Sequence, residues 1–239
     1  MTASAPPPSA LWRVQARLAA ALARAGRGAE ACRLVAVSKE QPRERVEAAL
    51  AGGQRLFGEN RVQEAQGRWA ELGRPGVELH LIGPLQTNKA RAAVTLFAAI
   101  HTLDRPRLAE ALARLAQERG ACPDLMVQVN TGREPQKAGV APEEAGGLVR
   151  LARGMDLPVR GLMCIPPEAE DPVPHFRLLR AMAGEMGLAW LSMGMSADFE
   201  RAAEEGATHV RVGSALFGER EAGETRGPPQ APPRAGAPS

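Results

Sequence analysis

The feature that most constrains this chain is a regular alternation of short apolar runs with stretches of helical pattern from residue 33 onward. Such alternation predicts an α/β fold with parallel strands, because each helix returns the chain to the same end of the sheet. Eight such units in 239 residues match a (β/α)8 TIM-type barrel. The predicted strands are residues 33–38, 55–58, 78–83, 99–103, 124–129, 159–164, 189–194 and 209–213.

An open doubly wound sheet is the alternative architecture. It needs a Gly-rich phosphate turn after its first strand, and the segment SKEQP at that place contains no glycine. The barrel is therefore the favoured fold. The pattern predicts helices over 43–52, 60–72, 87–97, 105–120, 142–154, 173–187, 197–206 and just after 214.

An extra N-terminal helix is predicted over residues 11–26, where apolar residues fall on one face. Residues 1–10 read as a flexible leader, and residues 221–239 are rich in Pro, Gly and Ala, which predicts a disordered tail. Residues 11–220 are thus expected to form a single barrel domain.

The composition excludes several classes of protein. The net charge is only +3 and no Lys/Arg block interleaves with aromatics, so no nucleic-acid partner is expected. There is no signal peptide and no run of about 18 apolar residues, which argues against secretion and a membrane. Three cysteines without CxxC spacing indicate reduced thiols and a cytoplasmic protein. The four histidines and these cysteines lack metal-ligand spacing, so no metal is expected.

Lysine is scarce in this chain, which draws attention to each one. Of the 30 basic residues only Lys39, Lys89 and Lys137 are lysines, and Arg cannot supply a neutral amine. Strand alternation puts Lys39 on the face of Val35 and Val37, so it should stand at the mouth of the barrel. A partly desolvated amine there could act as a nucleophile, although a surface lysine in a loop is an equally good interpretation of position alone.

Polar residues mark the ends of other predicted strands. Glu59 and Asn60 follow strand 2, His80 lies in strand 3, and Gln128 and Asn130 share a face of strand 5. Buried amides must find partners, so each could serve a ligand or a structural hydrogen bond. Taken together they favour a polar pocket.

The last two strand ends predict a phosphate site. Ser196 follows strand 7, and Gly213 and Ser214 follow strand 8, where barrels commonly bind phosphate. Ordinary helix capping by the two serines is the alternative. Arg211 faces inward from strand 8 between this site and Lys39. Pyridoxal phosphate (PLP) has an aldehyde for an amine and a phosphate for the last two loops. Arg211 could meet its ring nitrogen, and a salt bridge at the barrel mouth is the alternative for this residue.

At these residues the sequence resembles the pyridoxal phosphate homeostasis proteins, which are single barrels similar to the N-terminal domain of alanine racemase. The matching segments occur in the same order over roughly residues 10–220. They are LVAVSKEQP, GQRLFGENRVQEA, LHLIGPLQTNKA, LMVQVNTGREPQKAG, VRGLMCIPP, LSMGMSADFE and VRVGSALFG.

The resemblance implies residue roles. Lys39 would hold PLP as a Schiff base, Arg211 would contact the ring nitrogen, and Asn60 and His80 would line the pocket. The phosphate would be bound by Ser196, Gly213 and Ser214. Lys89 and Lys137 also fall within matched segments.

The resemblance also implies a PLP carrier or buffer without a catalytic residue. Racemization in the related enzymes needs a second base supplied by Tyr, and this chain has no Tyr. The expected partners are PLP and apo-forms of PLP-dependent enzymes, and the expected assembly is a monomer or weak dimer. Two alternatives remain: a PLP-dependent enzyme such as a weak racemase, and a lysine Schiff-base aldolase or phosphosugar enzyme.

Overall fold

The computed structural model describes residues 9–72 and 76–218, and within them the chain forms eight strands and nine α-helices. The strands are β1 (Arg33–Val37), β2 (Leu56–Glu59), β3 (Glu78–Leu81), β4 (Ala99–Leu103), β5 (Asp124–Val129), β6 (Val159–Cys164), β7 (Trp190–Ser192) and β8 (His209–Val212). The helices are α1 (Ala10–Arg24), α2 (Arg43–Ala51), α3 (Val62–Leu72), α4 (Ala90–Leu96), α5 (Pro106–Arg119), α6 (Pro142–Gly154), α7 (Pro172–Glu185), α8 (Phe199–Glu204) and α9 (Ser214–Phe217).

The strands close into a barrel in chain order, every neighbouring pair is parallel, and β8 pairs with β1. The predicted (β/α)8 barrel is therefore confirmed, and each predicted strand begins and ends within two residues of the observed one. The predicted helix over 87–97 is divided, since a 3-10 turn at Thr87–Lys89 precedes α4. Of the predicted leader, residues 1–8 lie outside the described residues, as does the predicted tail.

The extra helix α1 packs against the last units of the barrel. Its apolar face is buried, and Arg17 and Arg24 pair with Glu200 and Glu204 of α8 at 2.8 and 2.7 Å. Ser9 caps the helix by accepting a hydrogen bond from the backbone N–H of Trp12. None of the helices in the described part of the chain is both long and apolar enough to cross a membrane.

Two layers of side chains share the interior. Between strands and helices lies an apolar layer that includes Phe57, Ile100, Leu125 and Val210, all fully buried. Burial of this layer supplies the main driving force for folding, at about 25 cal/mol per Å² of apolar surface.

The space enclosed by the strands is unusually polar for a barrel, where branched apolar residues normally dominate. His80, His101 and His209 lie there with ring centroids 4.9–5.8 Å apart, close to Ser192 and Arg211. This polar layer lies beneath the carboxyl ends of the strands.

Candidate functional site

A cavity of about 350 Å³ opens at the carboxyl ends of the strands, the face on which barrels of this architecture place their sites. A larger cavity of about 480 Å³ lies between α1 and the opposite face. Of these two cavities in the described part of the chain, the first holds a lysine beside hydroxyl groups. Its lining comprises Val37, Lys39, Gln41, Asn60, Ile82, Ile165, Met195, Ser196, Ala197, Arg211, Gly213, Ser214 and Gly218.

Lys39 reaches this cavity because it follows β1 on the inward face. Val35 and Val37 lie below it, both buried. The next residue, Glu40, has a φ of +56°, which is uncommon for a residue other than glycine and Asn. Such strained backbone persists where the surrounding structure enforces it, often at functional sites. The chain thus turns sharply just after Lys39, while the lysine side chain is half-buried at the mouth.

The turn that presents Lys39 is anchored from behind by a buried carboxylate. Ser38 donates a hydrogen bond of 2.7 Å to Glu59, which also accepts one of 2.9 Å from the indole of Trp69. Burial of Glu59 raises the pKa of its carboxyl group. The two hydrogen bonds, together with Arg68 at 3.5 Å, only partly offset this. The sequence shows Glu59 merely as a polar strand end, whereas the structure shows that it fixes the residue preceding Lys39.

The opposite side of the cavity offers hydrogen-bond donors. Ser196 does not cap α8, which begins after Asp198. Instead its hydroxyl oxygen accepts hydrogen bonds from the backbone N–H groups of Gly213 and Ala215, at 3.2 and 3.3 Å. The capping interpretation of Ser196 is therefore wrong for its own helix. The loops after β7 and β8 meet at this point, and Ser214 follows at the exposed rim.

Gly194 lets the loop after β7 approach α8 closely. Its φ is +90°, and a Cβ atom there would lie 2.4 Å from the Cβ of Ala202. The backbone N–H of Met195 donates to Asp198 at 2.6 Å, which closes the turn that carries Ser196. Glycine is thus required at this position for Ser196 to reach the strand 8 loop.

Arg211 lies deep at the base of the cavity, with only 4% of its surface exposed. Its guanidinium donates hydrogen bonds of 2.7 Å to the hydroxyl of Ser192 and 2.9 Å to the backbone oxygen of Cys164. Burial lowers the pKa of this guanidinium below its ordinary value. Two of its five N–H donors are thereby engaged with uncharged groups inside the barrel.

The charge in the cavity is positive throughout. Among the described residues that line it, Lys39 and Arg211 are the charged ones and none is acidic. A cationic cavity with hydroxyl and backbone N–H donors suits an anionic ligand that also carries a group reactive toward an amine. The donor set therefore fits pyridoxal phosphate.

Asn60 lines the cavity, but His80 does not, and the expectation for His80 is corrected. Strand alternation explains the difference, because Ile82, two residues further along, is the residue of this segment that reaches the cavity. His80 lies one layer deeper, fully buried, and contacts Glu78 and His101 at 2.8 and 2.9 Å.

The amides of strand 5 organise a loop instead of lining the cavity. Gln128 donates to the backbone oxygen of Ala138 at 3.1 Å, and Asn130 donates to that of Glu134 at 2.8 Å. Lys137 in the same loop donates to the backbone oxygen of Pro166. The structural interpretation of these amides is thus the correct one.

The sequence missed the apolar part of the lining. Ile82, Ile165 and Met195 come from loops after three different strands, and no periodic pattern distinguishes Ile165 or Met195 from core residues. Ile82 alone carried a signal, since it continues the inward alternation of β3 beyond His80. No group of three or more His, Cys, Asp or Glu side chains in the described residues could hold a metal ion.

Comparison with known proteins gives a consistent set of relatives. Residues 12–221 match the family described as alanine racemase, N-terminal domain. The pyridoxal phosphate homeostasis protein of Aquifex aeolicus is 42% identical over 223 residues, covering 88% of this chain and 97% of that protein. The protein of the same name from Pseudomonas aeruginosa is 44% identical over 220 residues, covering 88% and 94%.

Solved structures agree with this grouping. PipY of Synechococcus elongatus with PLP bound is similar to this chain with a TM-score of 0.75 at 40% identity, covering 86% of this chain and all of that one. An alanine racemase of Clostridium difficile gives a TM-score of 0.70 at 15% identity, covering 87% of this chain and 56% of that one. The second likeness is one of fold alone.

Proposed function

The chain belongs to the alanine racemase N-terminal-domain family, and from that premise we propose that it binds pyridoxal phosphate and holds it for release to other proteins. The observation that carries the proposal is the cavity itself, which is lined by Lys39 together with Ser196, Gly213 and Ser214. The names of the relatives support the same ligand.

We assign the two sides of the cavity to the two reactive ends of the cofactor. Pyridoxal phosphate supplies an aldehyde that condenses reversibly with a primary amine, with loss of water. Lys39 provides that amine from the β1 side. Ser196 and Ser214 provide hydroxyl donors for the phosphate, and Gly213, which has no side chain, permits close approach of a dianion to the backbone.

Arg211 is assigned to the ring nitrogen. A permanently cationic donor favours the unprotonated nitrogen, which weakens the ring as an electron sink. Arg211 is buried and held by two hydrogen bonds, so its orientation is fixed before the cofactor arrives. This arrangement favours storage over chemistry on an amino acid.

The lining offers little for catalysis. Lys39 and Arg211 are its titratable side chains among the described residues, so a second positioned acid or base is missing from this part of the chain. Such a group typically contributes 10²–10⁴-fold to a rate. The whole sequence contains no Tyr, the residue that supplies the opposite base in racemases resembling this fold.

The proposed recipients are apo-forms of PLP-dependent enzymes, and the proposed compartment is the cytoplasm. Cys32, Cys122 and Cys164 are free thiols, which is typical of proteins from a reducing compartment.

A transfer assay tests the proposal. The purified protein is loaded with pyridoxal phosphate, freed of excess by gel filtration, and mixed with an apo-form PLP enzyme whose activity reports cofactor received. In parallel the loaded protein is incubated with L- and D-amino acids. We expect recovery of activity by the apoenzyme and no turnover above that of free pyridoxal phosphate. The Lys39→Ala variant, treated identically, is expected to deliver much less cofactor.

Two results would contradict the proposal. Turnover of an amino acid at about 1 s⁻¹ or faster lies within the range of ordinary enzymes and would favour a racemase-like activity. Failure of the wild-type protein to retain pyridoxal phosphate at all would leave the cavity to a different phosphorylated carbonyl compound, as in a lysine-dependent aldolase.

A further inference from the structure

A line of buried polar side chains crosses the barrel beneath the cavity. The carboxylate of Glu78, at the start of β3, lies 2.8 Å from His80 Nε2, and His80 Nδ1 lies 2.9 Å from His101 Nε2. His101 Nδ1 lies 2.8 Å from the hydroxyl of Ser192, which accepts a 2.7 Å hydrogen bond from Arg211. Four hydrogen bonds thus join Glu78, near the amino-terminal face, to the base of the proposed cofactor site.

The direction of these hydrogen bonds follows from the chemistry of the two ends. Arg211 can only donate, so the Ser192 oxygen accepts, and the buried Ser192 hydroxyl hydrogen needs its own acceptor. His101 Nδ1 is that acceptor. Burial and the nearby histidines keep the pKa of His101 well below its ordinary value, so this ring is neutral and carries its proton on Nε2.

The remaining links then have one solution. His101 Nε2–H donates to His80 Nδ1, and His80 Nε2–H donates to Glu78. His80 and Arg33 together lower the pKa of the Glu78 carboxyl group, which keeps it an acceptor. Every donor in the line therefore points from the cation toward the carboxylate, an arrangement in which successive hydrogen bonds polarise and strengthen one another.

We infer that Glu78, His80, His101 and Ser192 form a positioning relay for Arg211, which holds its guanidinium in one orientation toward the ring of the bound cofactor. The inference rests on the proposed function for its ligand. Glu78, His80 and His101 do not line the cavity. Through Arg211, however, the relay influences how tightly the cofactor is retained and the electronic environment of its ring nitrogen.

The barrel also contains a matched control for these positions. His209 lies in the same layer, with its ring 5.8 Å from those of both His80 and His101, and is 1% exposed. Its Nδ1 contacts the hydroxyl of Thr208 at 2.9 Å, so it is buried beside the relay without being one of its links. Replacement of either histidine by Phe exchanges a similarly buried imidazole for an apolar ring, but only His101→Phe interrupts the relay.

The test compares cofactor loss and absorption spectra of the loaded full-length protein. With His101→Phe the Ser192 hydroxyl loses its acceptor and Arg211 is held less firmly. We expect the cofactor to dissociate about tenfold faster, as for loss of one hydrogen bond to a charged group, and the visible absorption band to shift. The His209→Phe variant should stay within about twofold of wild type with an unshifted band. Equal behaviour of the two variants, in either direction, would overturn the inference.

Two further measurements keep the test decisive. Should His101→Phe fail to fold, Glu78→Gln at the half-exposed end keeps the shape, removes the charge, and should shift the band in the same direction by a smaller amount. An unshifted band in Glu78→Gln would then count against the relay.

Nitrogen-15 NMR of the cofactor-free full-length protein judges the relay independently of the ligand. We expect protons on Nε2 and not on Nδ1 for both His80 and His101, and resolved Nη resonances for Arg211 that merge in the Ser192→Ala variant. A proton on His101 Nδ1 would reverse the line and refute the inference. If wild-type protein binds no pyridoxal phosphate but shows these tautomers, the proposed function fails while the positioning of Arg211 stands.

Discussion

The polar interior of the barrel makes stability depend on pH in a calculable way. Burial, reinforced by neighbouring positive groups, lowers the pKa of His209 to about 3. In the unfolded chain a histidine has a pKa of about 6.5. Between these values the unfolded state binds a proton that the folded state does not, so the free energy of unfolding falls as the pH falls below about 6.5.

The size of the effect follows from the same two values. A pH of 5.5 lies about one unit below the pKa of a histidine in the unfolded chain. This corresponds to about 1.4 kcal/mol of stability lost because of His209. At pH 7.5 the contribution is close to zero. The His209→Phe variant removes this term, so its stability should fall about 1.4 kcal/mol less than that of wild type between pH 7.5 and 5.5.

Urea denaturation of the cofactor-free protein at the two pH values measures this difference. Comparison of the variant with wild type cancels other groups that titrate in the interval, including the buried carboxyl of Glu59. Between pH 7.5 and 8.5 the difference in stability should stay constant, because His209 is neutral in both states. A variant that loses as much stability as wild type at pH 5.5 would refute the claim that His209 is neutral inside the barrel.

Three further predictions concern the loops and the thiols. Ser214→Asp places a carboxylate at the proposed phosphate site and should abolish cofactor retention, measured by cofactor content after gel filtration, whereas Ser9→Asp at the cap of α1 should leave it intact. Gly83→Ala should lower the urea-measured stability by about 1–3 kcal/mol, because its Cβ would lie 2.2 Å from a backbone oxygen of the loop after β2. The control Gly67→Ala, in open space on α3, should raise stability by about 0.5–1 kcal/mol. Burial, complete for two thiols and partial for Cys122, raises the pKa of all three to about 11–12. A disulfide reagent at pH 8 should therefore label them slowly in the folded protein and rapidly in urea, and rapid labelling of Cys32 or Cys164 in the folded protein would contradict their burial. These thiols are Cys32, Cys122 and Cys164.

The fold could be predicted from the sequence because each strand–helix unit has a recognisable local pattern. Short apolar runs separated by helical stretches favour a closed parallel barrel for eight strands. The same alternation that placed Val35, Val37 and Lys39 on one inward face also holds in the structure, where Val37 and Lys39 line the cavity. Errors were confined to the ends of elements, such as the 3-10 turn that precedes α4 and the last residues of α7 and α8.

The candidate site was predictable only where its residues end a strand. His80 was misplaced because the alternation along a strand predicts which face a residue lies on, but not how deep in the barrel it lies. Ile82 is the residue of this segment that reaches the cavity. Gln128 and Asn130 were ambiguous because their partners are backbone oxygens in a loop, which no side-chain pattern reveals.

The relay was invisible in the sequence for a related reason. Its members come from β3, β4 and β7, Arg211 comes from β8, and their contacts arise when the barrel closes. The spacing of His80, His101 and Ser192 along the chain matches no short motif. Only the three-dimensional arrangement shows that these polar side chains satisfy one another.

The measurement that tests the account most directly is the position of the covalently bound cofactor. The protein is loaded with pyridoxal phosphate, reduced with borohydride, digested, and mapped by mass spectrometry. We expect a pyridoxyl group on Lys39, at about one per chain, and its loss from Lys39 in the Ser214→Asp variant. A reduced adduct found mainly on Lys89 or Lys137, with Lys39 unmodified, would contradict the assignment of this cavity as the cofactor site.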